Sequence, residues 1–223
     1  SKNKNNKPVW STRIRQKGTT TFQKVGASLH IDKRLYKEDI KASIAHVEML
    51  GKQKIISLSI KNKILWGLNK ILNEIKKKKF IFNIKNEDIH MSIESRLFEI
   101  LGDDAGFVHT ARSRNDQVLT DLKLWLKNST HEIIGELNKT IKLFLKSAEK
   151  NIDTIMPGFT HLKNAQPISF AHYLLSYYEM FKRDIKRFEN NIKILDECPL
   201  GSAALAGTSY KIDRNYTSKL LGF

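Results

Sequence analysis

The chain is expected to be all-α, and three observations point there. Apolar residues recur at helical spacing over most of its 223 residues. Glycine and proline fall mainly between these periodic stretches. Two stretches in the second half are so long that, at about 1.5 Å per residue, each would extend roughly 45–50 Å. Helices of that length call for a bundle, and a bundle shared between subunits suits them best.

After a polar lead, Leu35, Ile40, Ile44, Val47 and Leu50 mark a helix over residues 33–50, with Gly51 ending it. Residues 53–76 repeat the pattern through Ile55, Ile56, Leu58, Ile60, Ile64, Leu65, Leu68, Ile71 and Leu72. Asn86 is the expected cap of a shorter helix reaching Leu101, with Glu87 and Asp88 in its first turn and Gly102 closing it. A loop over residues 102–112 follows. Ser113, paired with Asp116 three residues on, has the pattern of a capping box for a helix from Asn115 to Lys150. Its apolar side carries Val118, Leu122, Trp125, Leu126, Ile133, Leu137, Ile141 and Phe144. The second long helix is expected to begin near Pro167, since proline suits a first helical turn, and to run to Leu195. Residues 198–212, with Pro199, Gly201 and Gly207, read as an irregular crossover before a short helix at Asp213.

Composition excludes several classes. Hydrophobic residues make up 40% and charged residues 28%, ordinary for a globular protein. No window approaches the run of about 20 apolar residues that spans a bilayer, so no membrane is expected. The segment Ser1-Lys2-Asn3-Lys4-Asn5-Asn6-Lys7 is basic without an apolar stretch behind it; it reads as a disordered lead, not a secretory signal. The lone Cys198 precludes an internal disulfide framework and a cysteine-based zinc site, and fits a reducing cytoplasm. The net charge of +16 comes mostly from dispersed lysine, with one run at Lys76-Lys77-Lys78-Lys79. No nucleic-acid-binding motif accompanies it, so the reading is a solvated lysine-rich face and no nucleic acid is expected.

The chemistry concentrates in two polar runs. Thr110-Ala111-Arg112-Ser113-Arg114-Asn115-Asp116-Gln117 holds no apolar side chain larger than Ala and directly precedes a long helix. Arginine offers a rigid fork that matches carboxylates, while Asn and Gln supply both donors and acceptors. The unpaired N–H groups of the helix start add partial positive charge. This is a cradle for a polar, anionic small molecule. The second run, Pro157-Gly158-Phe159-Thr160-His161-Leu162-Lys163-Asn164-Ala165-Gln166-Pro167, also precedes a long helix and carries a Thr-His pair.

With HTARSRNDQ at 109–117 and PGFTHLKNAQP at 157–167, the chain resembles the argininosuccinate lyases, a branch of the fumarase/aspartase superfamily that includes the lens δ-crystallins. The resemblance runs from Val9-Trp10 through Ala27-Ser28 and Glu87-Asp88-Ile89-His90 to Pro199-Leu200-Gly201 and on to the last residue. It implies a disordered lead over 1–8, an N-terminal helical domain over 9–112, and over 113–223 the first long helices of the superfamily's central bundle. It also implies a homotetramer whose active sites each draw on three subunits. The family's third motif, a Gly-Ser-Ser-x-Met-Pro loop that carries a serine participant, would lie beyond Phe223; the chain is therefore expected to be a part of the whole enzyme, inactive alone. One departure is Trp10-Ser11-Thr12-Arg13, where the family often has Trp-Gly-Gly-Arg; Lys163-Asn164 likewise replaces what is often Gln-Arg.

The implied reaction is a β-elimination of argininosuccinate to arginine and fumarate, with no metal and no organic cofactor. A base takes the proton next to a carboxylate, the C–N bond breaks, and an acid protonates the leaving guanidino nitrogen. His161 is the catalytic candidate, since its imidazole accepts or donates a proton near neutral pH. Ser28, Asn115 and Thr160 match substrate contacts, with Arg114 and Gln117 as carboxylate or amide partners. His90 is a supporting candidate. Ser113 and Asp116 read as helix capping, and Arg112 is left open. Trp10, Trp66 and Trp125, with Tyr173, Tyr177 and Tyr178, read as packing. Nothing local marks Asp32, Glu38 or Asp39 as functional. A different fumarate-releasing lyase and a non-catalytic crystallin-like protein are the alternatives.

Overall fold

The computed structural model describes residue 21, residues 25–83 and residues 86–223. The expected lead over 1–8 and the Trp10-Ser11-Thr12-Arg13 turn lie outside them. Within the described residues the elements run α1 (Leu29–Asp32), α2 (Tyr36–Lys52), α3 (Leu58–Lys76), α4 (Ile89–Leu101), α5 (Arg114–Glu149), β1 (Ile155–Thr160), β2 (Lys163–Ser169), α6 (Phe170–Leu195) and α7 (Arg214–Leu221). Short 3₁₀ turns occupy Lys33–Leu35 and Gly102–His109, the latter where an irregular loop was expected.

Two compact units divide the chain. One runs to Trp125 and resumes at Glu197; the other spans Leu126–Asp196. In the first, α2, α3 and α4 supply one core: Ile40, Val47 and Leu50 pack with Ile64, Leu68, Ile71 and Ile75, and with Ile89, Ile93 and Leu97. On α2 and α3 these residues follow the helical spacing that predicted them; α4, expected from its end signals, buries residues four apart. A smaller cluster of Ala42, Ala45, Leu124, Leu200 and Leu221 seats the start of α5 and the crossover segment. In the second unit Ala148, Ala171 and Leu174 pack beneath Phe144 and Phe170, and Phe144 stacks on Tyr177, itself edge-on to Tyr173.

The caps refine several expected boundaries. α2 passes Gly51 and ends at Lys52, and the left-handed residue is Lys54 at φ 57°. α3 starts only at Leu58, because the Ser57 hydroxyl accepts the Ile60 N–H at 3.2 Å. Asp88, not Asn86, caps α4: its carboxylate accepts the Met91 N–H at 2.6 Å. Gly102 closes that helix at φ 63°, as expected.

The larger correction lies at 155–169. Pro167 does not begin a helix; it pairs with Pro157 in an antiparallel hairpin. α6 begins at Phe170, with the Ser169 hydroxyl accepting the His172 N–H at 3.1 Å. His161 and Leu162 form the hairpin's two-residue turn at φ 51° and 63°, the positive-φ pair that a type I′ turn demands. A bulge falls between Pro157 and Phe159, where any side chain on Gly158 would stand 2.6 Å from the Gln166 carbonyl oxygen. The all-α class otherwise stands.

Trp66 is not core: it is 57% exposed on α3, with the Lys70 ammonium 5.1 Å from its ring centroid. Leu68, on the opposite face of the same helix, is fully buried. Leu68→Ala is expected to cost about 2–5 kcal/mol in chemical denaturation. Trp66→Ala should stay within about 1 kcal/mol; equal losses would contradict the burial described.

Candidate active site

At the inner ends of α2, α4 and α5 a set of polar side chains is buried together. Asp39 (α2), His90 (α4) and Asp121 (α5) are each almost wholly enclosed. The His90 Nδ1–H donates to Asp39 Oδ1 at 2.8 Å and lies 3.4 Å from Asp121 Oδ2. Gln117 Nε2 donates to the same Asp39 oxygen at 2.5 Å. Burial opposes ionisation of Asp39, yet His90, Arg112 and Gln117 together hold its carboxyl well below the usual range. Asp121 goes the other way. Burial, then the charge of Asp39 and a hydrogen bond with it, push its carboxyl well above the usual range. The negative charge of the pair therefore rests on Asp39, and Asp121 is the carboxyl that keeps its proton.

The network continues outward from Gln117. Its Oε1 accepts Arg114 Nη1–H at 2.9 Å, and Arg114 also meets Glu94 at 3.2 Å and Asp88 at 3.4 Å. Burial works against the Arg114 charge, but Glu94, Asp88 and Asp39 raise its pKa. Glu94 is held down to about 2 despite burial, by a hydrogen bond from His109 and the charges of Arg114, His109 and Arg112. Arg112 is buried and its Nη1 donates to Ser43 Oγ at 2.9 Å, while its Nε and Nη2 have no hydrogen-bond partner among the described residues.

The loop before α5 is pinned as well. His46 Nε2 donates to the Thr110 carbonyl at 2.8 Å, so its neutral tautomer carries the proton on Nε2. Burial and the nearby Arg112 charge push the His46 pKa down to about 3. Ala111 takes the left-handed conformation at φ 58°. Ser113 donates its N–H to Asp116 Oδ1 at 2.9 Å, the expected half of a capping box, and α5 starts at Arg114.

Each expected site residue now has a place. Ser28 is exposed; its N–H donates to the Glu87 carbonyl at 2.8 Å and its hydroxyl to Asp32 at 2.6 Å, one residue from the Asp88 that meets Arg114. Asn115 is exposed at the start of α5. Arg114 is partly exposed, whereas Gln117 is buried with both ends of its amide engaged within the chain. His90 sits in the network's centre. Thr160 and His161 are exposed at the hairpin end of the second unit.

Asp39 and Asp121 were missed by sequence reasoning, although a signal existed. Asp39, Ser43 and His46 share a helix face with Leu50; Gln117 and Asp121 share one with Leu124; His90 and Glu94 share one with Leu97. Polar residues at helical spacing in line with core residues mark a buried polar seam. One ligand atom each from Asp39, His90 and Asp121 lies within 4.8 Å of the others, a spacing a divalent ion would accept. His90 Nδ1 and Gln117 Nε2 already occupy Asp39 Oδ1, and the Arg112 charge acts on the same carboxyl, so the set reads as a buried charge-paired cluster.

Helices carrying a buried acid–histidine seam beneath an Arg-Asn-Asp-Gln turn make up this site, and the chain belongs to the lyase family, whose pattern matches residues 12–222. Within it, the chain is 65% identical over 222 residues to an argininosuccinate lyase of Pelagibacter ubique, covering 100% of this chain and 48% of that relative. It is 46% identical over 215 residues to an argininosuccinate lyase of Bacillus cytotoxicus, covering 96% and 46%. The chain thus spans about half the length of the curated relatives it matches. A solved structure of EDDS lyase in complex with formate superposes with a TM-score of 0.77 at 28% identity, over 90% of this chain and 39% of that one. A fumarate lyase:delta crystallin from Brucella melitensis bound to cobalt shares the fold at TM-score 0.74 and 19% identity, over 92% and 51%.

Two measurements check the electrostatics. Asp121→Asn, which replaces a neutral carboxyl by a neutral amide, is expected to change stability by less than about 1 kcal/mol, whereas Asp39→Asn should cost about 3–5 kcal/mol by leaving buried donors uncompensated. Comparable losses from both would refute the proton assignment. His46 is neutral when folded and protonates near its ordinary value of 6.5 when unfolded, so its contribution is present above that pH and is lost as pH falls toward about 3. His46→Gln is expected to flatten the stability–pH curve in that window, read by denaturation at a series of pH values.

Proposed function

We propose that the protein containing this chain is an argininosuccinate lyase that converts argininosuccinate to arginine and fumarate in arginine biosynthesis. The observation that carries this reading is the 65% identity to a relative of that name over the whole of this chain. The geometry supports it: the network beneath α5 presents Arg114 and Asn115 at the end of a helix, where N–H groups and positive charge converge on an anion. No organic cofactor or metal enters the reaction.

On this reading Ser28, Asn115 and Thr160 contact the substrate. Arg114 presents its cation toward a carboxylate; Gln117 holds it from behind and is itself tied to His90 through Asp39. His161 takes part in proton transfer as the proton leaves the carbon next to a carboxylate and the C–N bond breaks. The complete protein is a cytoplasmic homotetramer whose sites combine residues of several subunits. Nucleic acid and membrane are not partners, and no helix among the described residues is long and apolar enough to cross a membrane. The three-part division of the chain at residues 8/9 and 112/113 belongs to the same proposal.

Fumarate release from argininosuccinate by the full-length protein tests it, with His161→Ala alongside. The substitution is expected to lower kcat by about 10²–10⁴-fold. Absence of release from the folded wild-type protein would overturn the substrate; release undiminished in the variant would overturn the role of His161.

A further inference from the structure

Asp116 does more than cap a helix. Its carboxylate is 2% exposed and takes three backbone N–H groups: Ser113 on Oδ1 at 2.9 Å, and Gly201 and Ala203 on Oδ2 at 2.9 and 2.8 Å. The last two come from the crossover segment more than 80 residues away in sequence. A buried carboxylate receiving several N–H groups makes strong, charge-assisted bonds.

The segment it holds is under conformational constraint. Gly201, Ala203 and Gly207 all have positive φ, at 102°, 53° and 95°. A side chain on Gly201 would stand 2.8 Å from Arg214 Cγ, so glycine is required there. Ala203 has no such license, and its left-handed backbone persists only where surroundings impose it. Asp116 is what imposes it. Leu200 anchors the stem among Ala42, Ala45, Leu124 and Leu221, while the tip stays in solvent, with Leu205 92% exposed. Next to the clamp, the Ala204 carbonyl accepts the Asn115 side-chain N–H at 3.5 Å.

We propose that Asp116 is a positioning residue: it clamps the turn at residues 199–207 so that the Ala204 carbonyl sets the orientation of the Asn115 amide toward the substrate. An amide has a donor end and an acceptor end of nearly the same shape, so something must decide which faces the ligand. With one N–H directed at Ala204 from 3.5 Å, one of the two orientations of the Asn115 amide is favoured. The inference rests on the substrate reading above and adds to it the device that orients one of its contacts.

A double-mutant cycle on the full-length protein decides the matter. Asp116→Asn is expected to raise KM for argininosuccinate by about tenfold while leaving kcat within about twofold, the signature of a lost ground-state contact. In an Asn115→Ala background the same change should shift KM by less than about twofold, because the residue it acts through is gone. A merely structural role would move KM equally on both backgrounds, and that result, or an unchanged KM, overturns the proposal. If Asp116→Asn does not fold, Ala203→Pro carries the test, since it removes one clamped N–H and forbids the positive φ without touching the carboxylate. A wild-type protein without turnover would instead sink the substrate reading; wild-type turnover with Asp116→Asn unaffected sinks the clamp alone.

Discussion

The carboxylate of Asp39 is the junction on which the first unit depends. A buried, ionised carboxyl costs several kcal/mol unless hydrogen bonds and opposite charge offset it. Here the offset comes from His90 on α4 and Gln117 on α5, with the Arg112 charge behind them. Each donor sits on a different helix, so the bonds form only when α2, α4 and α5 hold one mutual register. Hydrophobic packing alone tolerates small slides between helices; a shared acceptor of this kind does not. The seam thus converts a helical core into a defined platform, and Asp121, neutral beside it, completes the packing without adding a second charge.

The platform determines what the polar turn before α5 presents. Its path is held residue by residue: the Thr110 carbonyl by His46, Ala111 in the left-handed region, Arg112 on Ser43, the Ser113 N–H on Asp116. Little of this depends on solvent-exposed ion pairs, which salt would weaken. The net charge of +16 plays no part in it either, since the lysines of the run at 76–79 are exposed on the far end of α3. Long-range positive potential can speed the approach of an anion, but selection among anions belongs to the enclosed groups.

Much of the helical architecture was legible in the sequence. Three- and four-residue spacing located α2, α3 and both long helices, because burying one apolar stripe is what stabilises each of them, while α4 was located by its cap and stop residues. The hairpin was not legible. Its strands carry two prolines, a glycine and an irregular mix of polar and apolar residues, so neither shows period-2 alternation, and Pro167 mimics a helix start. What makes it a hairpin is a turn whose two residues, His161 and Leu162, adopt positive φ without the Asn-Gly signature that announces such turns. Of the site, Arg114, Asn115 and the Thr-His pair stood out as a polar run. Asp39 and Asp121 did not, because an acidic residue on an amphipathic helix ordinarily faces water, and only the tertiary register turns these two inward.

Arg114 shows how the enclosed network shapes recognition. Its guanidinium already meets Glu94, Asp88 and the Gln117 amide, so its orientation is set before any ligand arrives. The same carboxylates cancel much of its charge, which keeps it from collapsing onto the nearest anion. A substrate carboxylate would then gain less from Coulomb attraction to Arg114 than from hydrogen bonds that need no rearrangement: the Asn115 amide and the N–H groups opening α5. Dipoles held in place in advance bind a ligand without the cost of ordering them first. On the proposed reaction, the carboxylates around Arg114 thus temper its attraction for the substrate, and discrimination passes to groups whose positions Asp39 and Asp116 secure.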